Sequence, residues 1–177
     1  DPCCGSGTIL IEGAMLAHNI APGINRNFEC DRWGLLPGSA WKQERERCHD
    51  IIKTDTDFTA FGSDIDPKAL ELTMINAKRI KVDKFLKLSE KDIKFFEPTT
   101  ERGTLITNPP YGERMLDIKE AEKIYRIMGE KFVAKRGWSY GIISPDEEFE
   151  KVFGRKAEKR RKLYNGMIKC QYYMYFK

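Results

Sequence analysis

The segment Asn108-Pro109-Pro110-Tyr111 has the residue types and spacing of a pocket for an amine. Two successive prolines fix φ at about −65° and keep the preceding residues extended, so we expect a rigid loop. An amino group on a planar ring has two N–H donors, and the Asn108 side-chain oxygen and the Pro109 carbonyl could accept one each. Tyr111 can stack on the ring that carries the amine. The segment therefore predicts a site that turns an amine lone pair toward an incoming methyl group.

The chain opens on a second polar motif, Asp1-Pro2-Cys3-Cys4-Gly5-Ser6-Gly7-Thr8. Its glycines, Gly5 and Gly7, allow a tight turn and let a ligand approach the backbone closely. The helix predicted to follow begins with unpaired N–H groups, which could bind a ligand carboxylate. A glycine pair between a strand and a helix is also compatible with a turn that has only a structural role.

Acidic side chains follow two of the predicted strands. Asp64 comes directly after one of them, and its carboxylate can accept hydrogen bonds from two ribose hydroxyls. Asp66 precedes a proline and fits the N-cap of the next helix, which leaves Asp64 for a ligand. Asp92 follows the next strand and could accept from an adenine amino group, although a solvated loop acid explains it equally well.

The apolar periodicity predicts alternating strands and helices. Strands are predicted over 58–64, 85–89, 103–107 and 139–144, and helices over 6–20, 67–77, 117–135 and 146–153. We interpret 24–53 as an insertion with a helical part at 41–53. Asn165-Gly166 lies between two runs rich in aromatic and β-branched residues, which predicts a tight hairpin.

This pattern predicts an α/β three-layer sandwich. Its sheet is expected to be mostly parallel and to end in an antiparallel C-terminal hairpin. The strand that should precede Asp1 is absent from the sequence, so we expect the domain, 1–177, to be truncated at its N-terminus.

Composition sets broad limits on location and chemistry. The chain has 177 residues, 41% of them hydrophobic, and contains no apolar run long enough to span a bilayer. It begins without the features of a signal peptide, so a cytoplasmic location is expected. Five cysteines without a CxxC spacing and two histidines argue against a disulfide framework and against a zinc site. No metal is expected.

Basic residues are concentrated between 151 and 163. The net charge of +4 is too small to indicate nucleic-acid binding by itself. The local run could neutralise phosphates, and a solvated helix face would explain it equally well. Its position just before the hairpin favours contact with RNA. The candidate RNA-binding residues are Lys159, Arg160, Arg161 and Lys162, with Arg114 beside the amine loop.

The segments DPCCGSGT, GSDIDP and LITNPPYGER resemble the first, second and fourth motifs of amino-methyltransferases that use S-adenosylmethionine. The order of these motifs, the insertion with Trp33 and the ending GRKAEKRRKLYNGMIKCQYY resemble bacterial THUMP-domain guanine-N2 methyltransferases of 23S ribosomal RNA. The resemblance covers nearly the whole chain. It implies a Rossmann-like methyltransferase sandwich without its first strand and without the upstream THUMP domain, which binds RNA.

The resemblance also implies roles for individual residues. Target binding and catalysis are assigned to Asn108, Pro109, Pro110 and Tyr111. Binding of S-adenosylmethionine is assigned by the resemblance to Asp1, Gly5, Gly7 and Asp64. We further predict cofactor contacts from Pro2, Thr8, Ile65, Asp92 and Asn108.

Several other functions remain open from the sequence. DNA adenine-N6 methyltransferases and enzymes that modify a protein glutamine amide share the chemistry of the amine loop. A non-catalytic RNA-binding module with a vestigial cofactor pocket is an alternative of another class. An NAD-dependent oxidoreductase fits poorly, because the first loop lacks the full dinucleotide fingerprint and nothing in that reaction requires the amine loop.

Overall fold

The computed structural model describes residues 1–34, 37–111, 115–132 and 136–176. The helices are α1 (Thr8–Ala17), α2 (Gly38–Asp50), α3 (Pro67–Ile80), α4 (Met115–Lys131) and α5 (Phe149–Phe153). The strands are β1 (Ala60–Asp64), β2 (Leu86–Glu90), β3 (Gly103–Thr107), β4 (Trp138–Ser144), β5 (Lys159–Asn165) and β6 (Ile168–Tyr175). Short 3-10 turns cover Glu29–Arg32, Asp83–Phe85 and Ile93–Phe95. Among the described residues, no helix combines the length and the apolar character needed to cross a membrane.

The strands form two hydrogen-bonded pieces rather than the one continuous sheet that we predicted. In one piece β1 pairs in parallel with β2, and the other has the order β3-β4-β6-β5. Within the second piece β3 and β4 are parallel, whereas β6 is antiparallel to both β4 and β5. The prediction of parallel strands followed by an antiparallel hairpin is therefore confirmed, while the continuity of the sheet is not seen among the described residues.

The first residues of the chain lie between the two pieces. The Asp1 carbonyl accepts a hydrogen bond from the Ser63 amide at 2.9 Å, and the Cys4 amide donates to the Ser63 carbonyl at 3.0 Å. The Asp1 carboxylate in turn accepts from the Thr107 hydroxyl at 2.7 Å. Asp1 thus connects the end of β1 with the end of β3, which brings the glycine motif next to the amine loop.

Each piece of the sheet has its own core. The four-stranded piece packs against α4 and α5 through buried aromatic rings, and Phe149 stacks on Tyr173 with ring centroids 4.4 Å apart. The smaller core joins α1, α3, β1 and β2, with Ala14 and Ala77 fully buried in it. Small side chains at these positions let the two helices approach the strands closely.

Several predicted boundaries need correction. The helix predicted over 117–135 begins two residues earlier and ends at Lys131, and 133–135 lie outside the described residues. The helix predicted over 146–153 is limited to Phe149–Phe153. The helical part predicted at 41–53 corresponds to α2, which begins three residues earlier and ends at Asp50. The predicted N-cap is confirmed, because the Asp66 side chain accepts from the Lys68 amide. The basic run does not form a helix face, because its second half is β5.

Replacement of Gly7 with Ala is expected to destabilise the protein. Gly7 is the N-cap of α1 with φ at +83°, and an added Cβ would lie 2.5 Å from Cγ2 of Thr73. Both the backbone conformation and the contact therefore oppose a side chain, and we expect a loss of about 2–4 kcal/mol in the free energy of unfolding.

Gly154→Ala is the matched control for this measurement. Gly154 has φ at +82°, and nothing lies within 4 Å of the position that an added Cβ would take. Its replacement should cost only the backbone penalty of about 1–2 kcal/mol. Equal losses for the two variants in urea titrations would show that the contact between Gly7 and Thr73 is unimportant.

Candidate functional site

A cleft of about 450 Å³ opens at the edge of the sheet where the strands end. The glycine motif, the start of the amine loop and the β5–β6 hairpin line it together. Its lining residues are Asp1, Cys3, Cys4, Gly5, Ser6, Thr8, Ile9, Asn108, Ile143, Leu163, Tyr164, Asn165 and Cys170. Of the predicted site residues, Asp1, Gly5, Thr8 and Asn108 are thus brought together in one cavity. The other predicted residues are not among its lining.

Asp64 ties the end of β1 to the glycine motif. One carboxylate oxygen accepts from the Gly5 amide at 2.9 Å, and the other accepts from the Asp66 amide at 3.0 Å. A carboxylate offers about four lone-pair positions, so two remain for ligand hydroxyls. Ile65 beside it is 69% exposed and presents an apolar surface at the same strand end.

The glycine motif is held against α3. The Thr73 hydroxyl donates to the Gly5 carbonyl at 2.8 Å, and the Asn76 side chain donates to the Ser6 carbonyl at 3.1 Å. Gly5 has φ at +52°, and nothing lies within 4 Å of the position a Cβ would take. The hydrogen bonds from α3 therefore hold the loop in place, and the space beside Gly5 is open.

Asn108 carries the least satisfied acceptor of the cleft. Its Oδ1 atom is buried and, within the described part of the chain, receives no hydrogen bond. Leaving a buried acceptor unpaired costs about 1–3 kcal/mol, a cost that a bound donor would remove. This unpaired oxygen lies on the residue predicted to accept from the amine, and its role in binding an amine stays a prediction.

Tyr111 lies at the other end of the amine loop and contacts the hairpin. The Asn165 side-chain amide donates a hydrogen bond to the Tyr111 hydroxyl. Within the amine loop, Pro109 is fully buried, whereas Pro110 is exposed. The anchored Pro109 and the bond from Asn165 hold the Tyr111 ring beside the cleft that Asn165 also lines.

Asp92 has a structural role in addition to the one predicted for it. Its carboxylate accepts from the Lys94 amide at 2.9 Å and pairs with the Lys94 ammonium at 3.0 Å. The backbone hydrogen bond from Lys94, followed by the side-chain bond, lowers the pKa of Asp92. The carboxylate caps a 3-10 turn, and contact with an adenine amino group stays a prediction.

The cysteines of the cleft are unsuited to nucleophilic chemistry. Burial raises the pKa of the Cys3 thiol to about 12, and the nearby Asp64 carboxylate acts in the same direction. Burial also raises the pKa of Cys4 and of Cys170. These thiols are neutral at neutral pH and therefore poor nucleophiles. Among the described residues, no group of three or more His, Cys, Asp or Glu side chains is placed to hold a metal ion.

The basic residues of β5 are exposed on the edge strand of the sheet. Arg160 differs from its neighbours, because it pairs with Glu150 at 2.9 Å, and the Glu150 side chain is only 15% exposed. The Lys162 ammonium lies 5.1 Å from the centre of the Tyr164 ring, and Tyr164 lines the cleft. Arg114 lies outside the described residues.

The sequence interpretation missed the part that the hairpin plays in the cleft. Leu163, Tyr164 and Asn165 line it from β5, and Cys170 lines it from β6. The Asn165-Gly166 turn was recognised, but its approach to the glycine motif depends on β6 being inserted between β4 and β5. That strand order has no signal in the local sequence.

The family of RMKL-like methyltransferase domains, UPF0020, matches residues 1–174. The chain belongs to this family. Among its curated relatives, YpsC of Bacillus subtilis strain 168 is named as a candidate RNA methyltransferase and is 39% identical over 176 residues. The match covers 99% of this chain and 46% of YpsC.

Another relative in this group is named ribosomal RNA large subunit methyltransferase K/L, from Shewanella pealeana. It is 38% identical over 180 residues, which are 99% of this chain and 25% of that protein. The chain therefore spans less than half the length of these two relatives.

Solved structures confirm the predicted fold class. A candidate methylase from Clostridium difficile 630 has a TM-score of 0.94 at 41% identity, covering 99% of this chain and 47% of that one. SMU.472, a candidate methyltransferase in complex with SAH, has a TM-score of 0.93 at 39% identity with the same coverage. A candidate N6-adenine-specific DNA methylase from Listeria monocytogenes has a TM-score of 0.90 at 36% identity, covering 99% and 45%.

Proposed function

We propose that this chain is the methyl-transferring domain of an enzyme that methylates the N2 amine of a guanine in large-subunit ribosomal RNA. The proposal rests on Oδ1 of Asn108, which is buried and has no hydrogen-bond partner among the described residues, in a cleft that the glycine motif also lines. Membership of the methyltransferase family supports the reaction type, and the name of the Shewanella relative supports the RNA substrate. Because the relatives are longer, the proposal includes an RNA-binding domain upstream in the same chain.

The residues around the glycine motif fit S-adenosylmethionine as the methyl donor. Asp64 keeps lone pairs for the ribose hydroxyls, and the exposed Ile65 offers an apolar surface for the adenine ring. Gly5 leaves open space where a side chain would otherwise block a ligand. The SAH complex of SMU.472, at 39% identity, supports the same cofactor for this chain.

When bound, this cofactor supplies a methyl group that its sulfonium makes electrophilic. Asn108 accepts one N–H of the target amine and the Pro109 carbonyl accepts the other, so the nitrogen lone pair points at the methyl group. Holding nitrogen and carbon at near-attack distance is the main source of rate. The methylated nitrogen is strongly acidic and loses its proton to water or a carbonyl. No protein nucleophile takes part, in agreement with the neutral thiols of the cleft.

The proposal is tested by incubating the full-length protein with cofactor labelled in its methyl group. Ribosomal RNA, duplex DNA and a release factor serve as parallel substrates, and the products are digested and separated by mass. We expect label in large-subunit RNA, as N2-methylguanosine. Label in DNA as N6-methyladenine would replace this proposal with the adenine alternative, and cofactor binding without transfer would favour a binding module.

Charge reversal at Arg161 is expected to weaken RNA binding. Arg161 lies on the edge strand β5 and is exposed, so its guanidinium is available to a phosphate. Arg161→Glu should lower the affinity for ribosomal RNA and reduce the slope of log affinity against log salt by about one or more. The affinity is measured by filter binding from low to moderate salt.

Arg160→Glu is the comparison, because Arg160 already pairs with the mostly buried Glu150. This change places two carboxylates together, so we expect a loss of folding stability of about 2–4 kcal/mol. Its effect on the salt slope should be smaller than that of Arg161→Glu. An unaltered slope for Arg161→Glu would remove β5 from the RNA-binding surface.

A further inference from the structure

A second unused acceptor lies one strand away from Asn108. Strands β3 and β4 are parallel, with Thr107 opposite Ile142, so Asn108 and Asp146 both follow strand ends at the same edge of the sheet. The Oδ2 atom of Asp146 is buried and receives no hydrogen bond from the described residues. Among the described residues, three side-chain oxygens are buried without a hydrogen-bond partner. Two of the three belong to Asn108 and Asp146, at these adjacent strand ends.

The position of Asp146 is fixed by its neighbours and needs no ligand. Its Oδ1 accepts from the Glu148 amide at 2.8 Å, and its own amide donates to the Ser144 hydroxyl oxygen at 3.1 Å. The Tyr173 hydroxyl donates to the Asp146 carbonyl at 3.1 Å. The Oδ1 atom thus stabilises the turn, whereas Oδ2 is held in place and has no hydrogen-bond partner among the described residues.

Electrostatics and hydrogen bonds place Asp146 near Tyr125. Burial raises the pKa of Tyr125 to about 12, and the nearby Asp146 carboxylate acts in the same direction. Ser144 opposes this shift through its hydrogen bond with the Tyr125 hydroxyl. The Ser144 hydroxyl thus contacts both the Tyr125 hydroxyl and the Asp146 amide, which places Asp146 close to Tyr125 at the end of β4.

The two purines differ in what they present next to the exocyclic amine. In guanine the N2 amine is adjacent to N1–H, so these two neighbouring groups are both donors. In adenine the N6 amine is adjacent to an unprotonated N1, which is an acceptor. An ionised carboxylate can only accept hydrogen bonds, so beside the amine it binds N1–H of guanine and is repelled by the unprotonated N1 of adenine.

We propose that Asp146 selects guanine, with Oδ2 accepting from N1–H of the base whose N2 amine is held by Asn108. This inference rests on the proposed function and assigns the choice of base to one residue. A pocket that hydrogen-bonds its substrate through a buried polar group strongly rejects a base that leaves this group unpaired. A pocket that discriminates by shape alone is much less selective.

The test compares two RNA substrates with the full-length protein. The methylated position, once mapped, carries either guanosine or 2-aminopurine riboside, which keeps the N2 amine but has an unprotonated N1. Wild-type protein should prefer guanosine by at least about 100-fold in kcat/KM. In Asp146→Asn this ratio should fall at least about tenfold, because an amide can donate to N1.

Controls separate this effect from damage to the fold. Asn can also accept from the Glu148 amide, so the turn before α5 should be retained, and Asp146→Ser provides a second variant that can do so. Glu147→Gln removes a charge from the next residue, whose side chain is 90% exposed, and should leave the ratio unchanged. The thermal midpoint and cofactor affinity of each variant are measured alongside.

The outcomes distinguish the two claims. A wild-type enzyme that methylates both substrates equally, or an unchanged ratio in folded Asp146→Asn and Asp146→Ser, overturns the role of Asp146 and leaves the proposed function standing. If wild-type protein methylates no guanosine at all, the proposed function fails, and the role of Asp146 fails with it.

Discussion

Methyl transfer by Asn108→Ala is expected to be about 100- to 1,000-fold slower than by the wild-type protein, with unchanged cofactor affinity. Removal of Oδ1 takes away the buried acceptor that we propose binds one N–H of the amine. The nitrogen lone pair is then free to rotate away from the methyl group, so the reactive arrangement is rarely formed. Single-turnover rates with labelled cofactor measure the effect, and calorimetric titration with cofactor measures the affinity.

Asn108→Asp is the matched variant, because it keeps an acceptor oxygen in the same place, although it replaces the NH2 with a second acceptor and adds a negative charge. It should retain more of the rate than Asn108→Ala. A variant Asn108→Ala that turns over at the wild-type rate would remove the amine pocket from the mechanism. A parallel loss of cofactor affinity would instead assign Asn108 to the cofactor.

Tyr111→Ala should lower kcat/KM for RNA by about 5- to 150-fold, the range expected when stacking on one base is lost. The ring lies beside the cleft and is held there by the bond from Asn165. Tyr111→Phe keeps the ring and loses only the hydroxyl, so it should stay within about tenfold of wild type. Steady-state kinetics with ribosomal RNA compare the three proteins.

The pair of Tyr111 variants separates two roles. If Phe is as damaging as Ala, the contact with Asn165 matters more than stacking. Asn165→Ala should then reproduce the defect of Tyr111→Phe, since it removes the same hydrogen bond from the hairpin side. Wild-type kinetics in Tyr111→Ala would contradict a stacking role for this residue.

Much of the fold was predictable because its signals are local. The strand 103–107 was predicted with the bounds it has in the structure, the N-cap at Asp66 follows from an acid before a proline, and the hairpin follows from Asn165-Gly166. Asn108 was identified because an amide followed by two prolines and an aromatic is a rare combination with a specific chemical use. Its placement beside Gly5 in one cleft agrees with that interpretation.

The parts that were not predictable depend on contacts between distant residues. Asp64 was assigned to a ligand, and its bond from the Gly5 amide forms only when the glycine motif lies against the end of β1. Arg160 looks like its basic neighbours in sequence, yet its partner Glu150 lies on α5. Nothing in the sequence singled out Asp146, because the lack of a partner for its Oδ2 among the described residues is a property of the folded chain.

The most direct test of the amine pocket is a crystal structure of the full-length protein with S-adenosylhomocysteine and an RNA fragment that contains the target base. We expect the exocyclic nitrogen of that base within hydrogen-bond distance of Asn108 Oδ1, with the base stacked on Tyr111 and the cofactor sulfur in line beyond the nitrogen. A base bound elsewhere, with Asn108 Oδ1 still unpaired, would contradict the assignment of Asn108 to the amine.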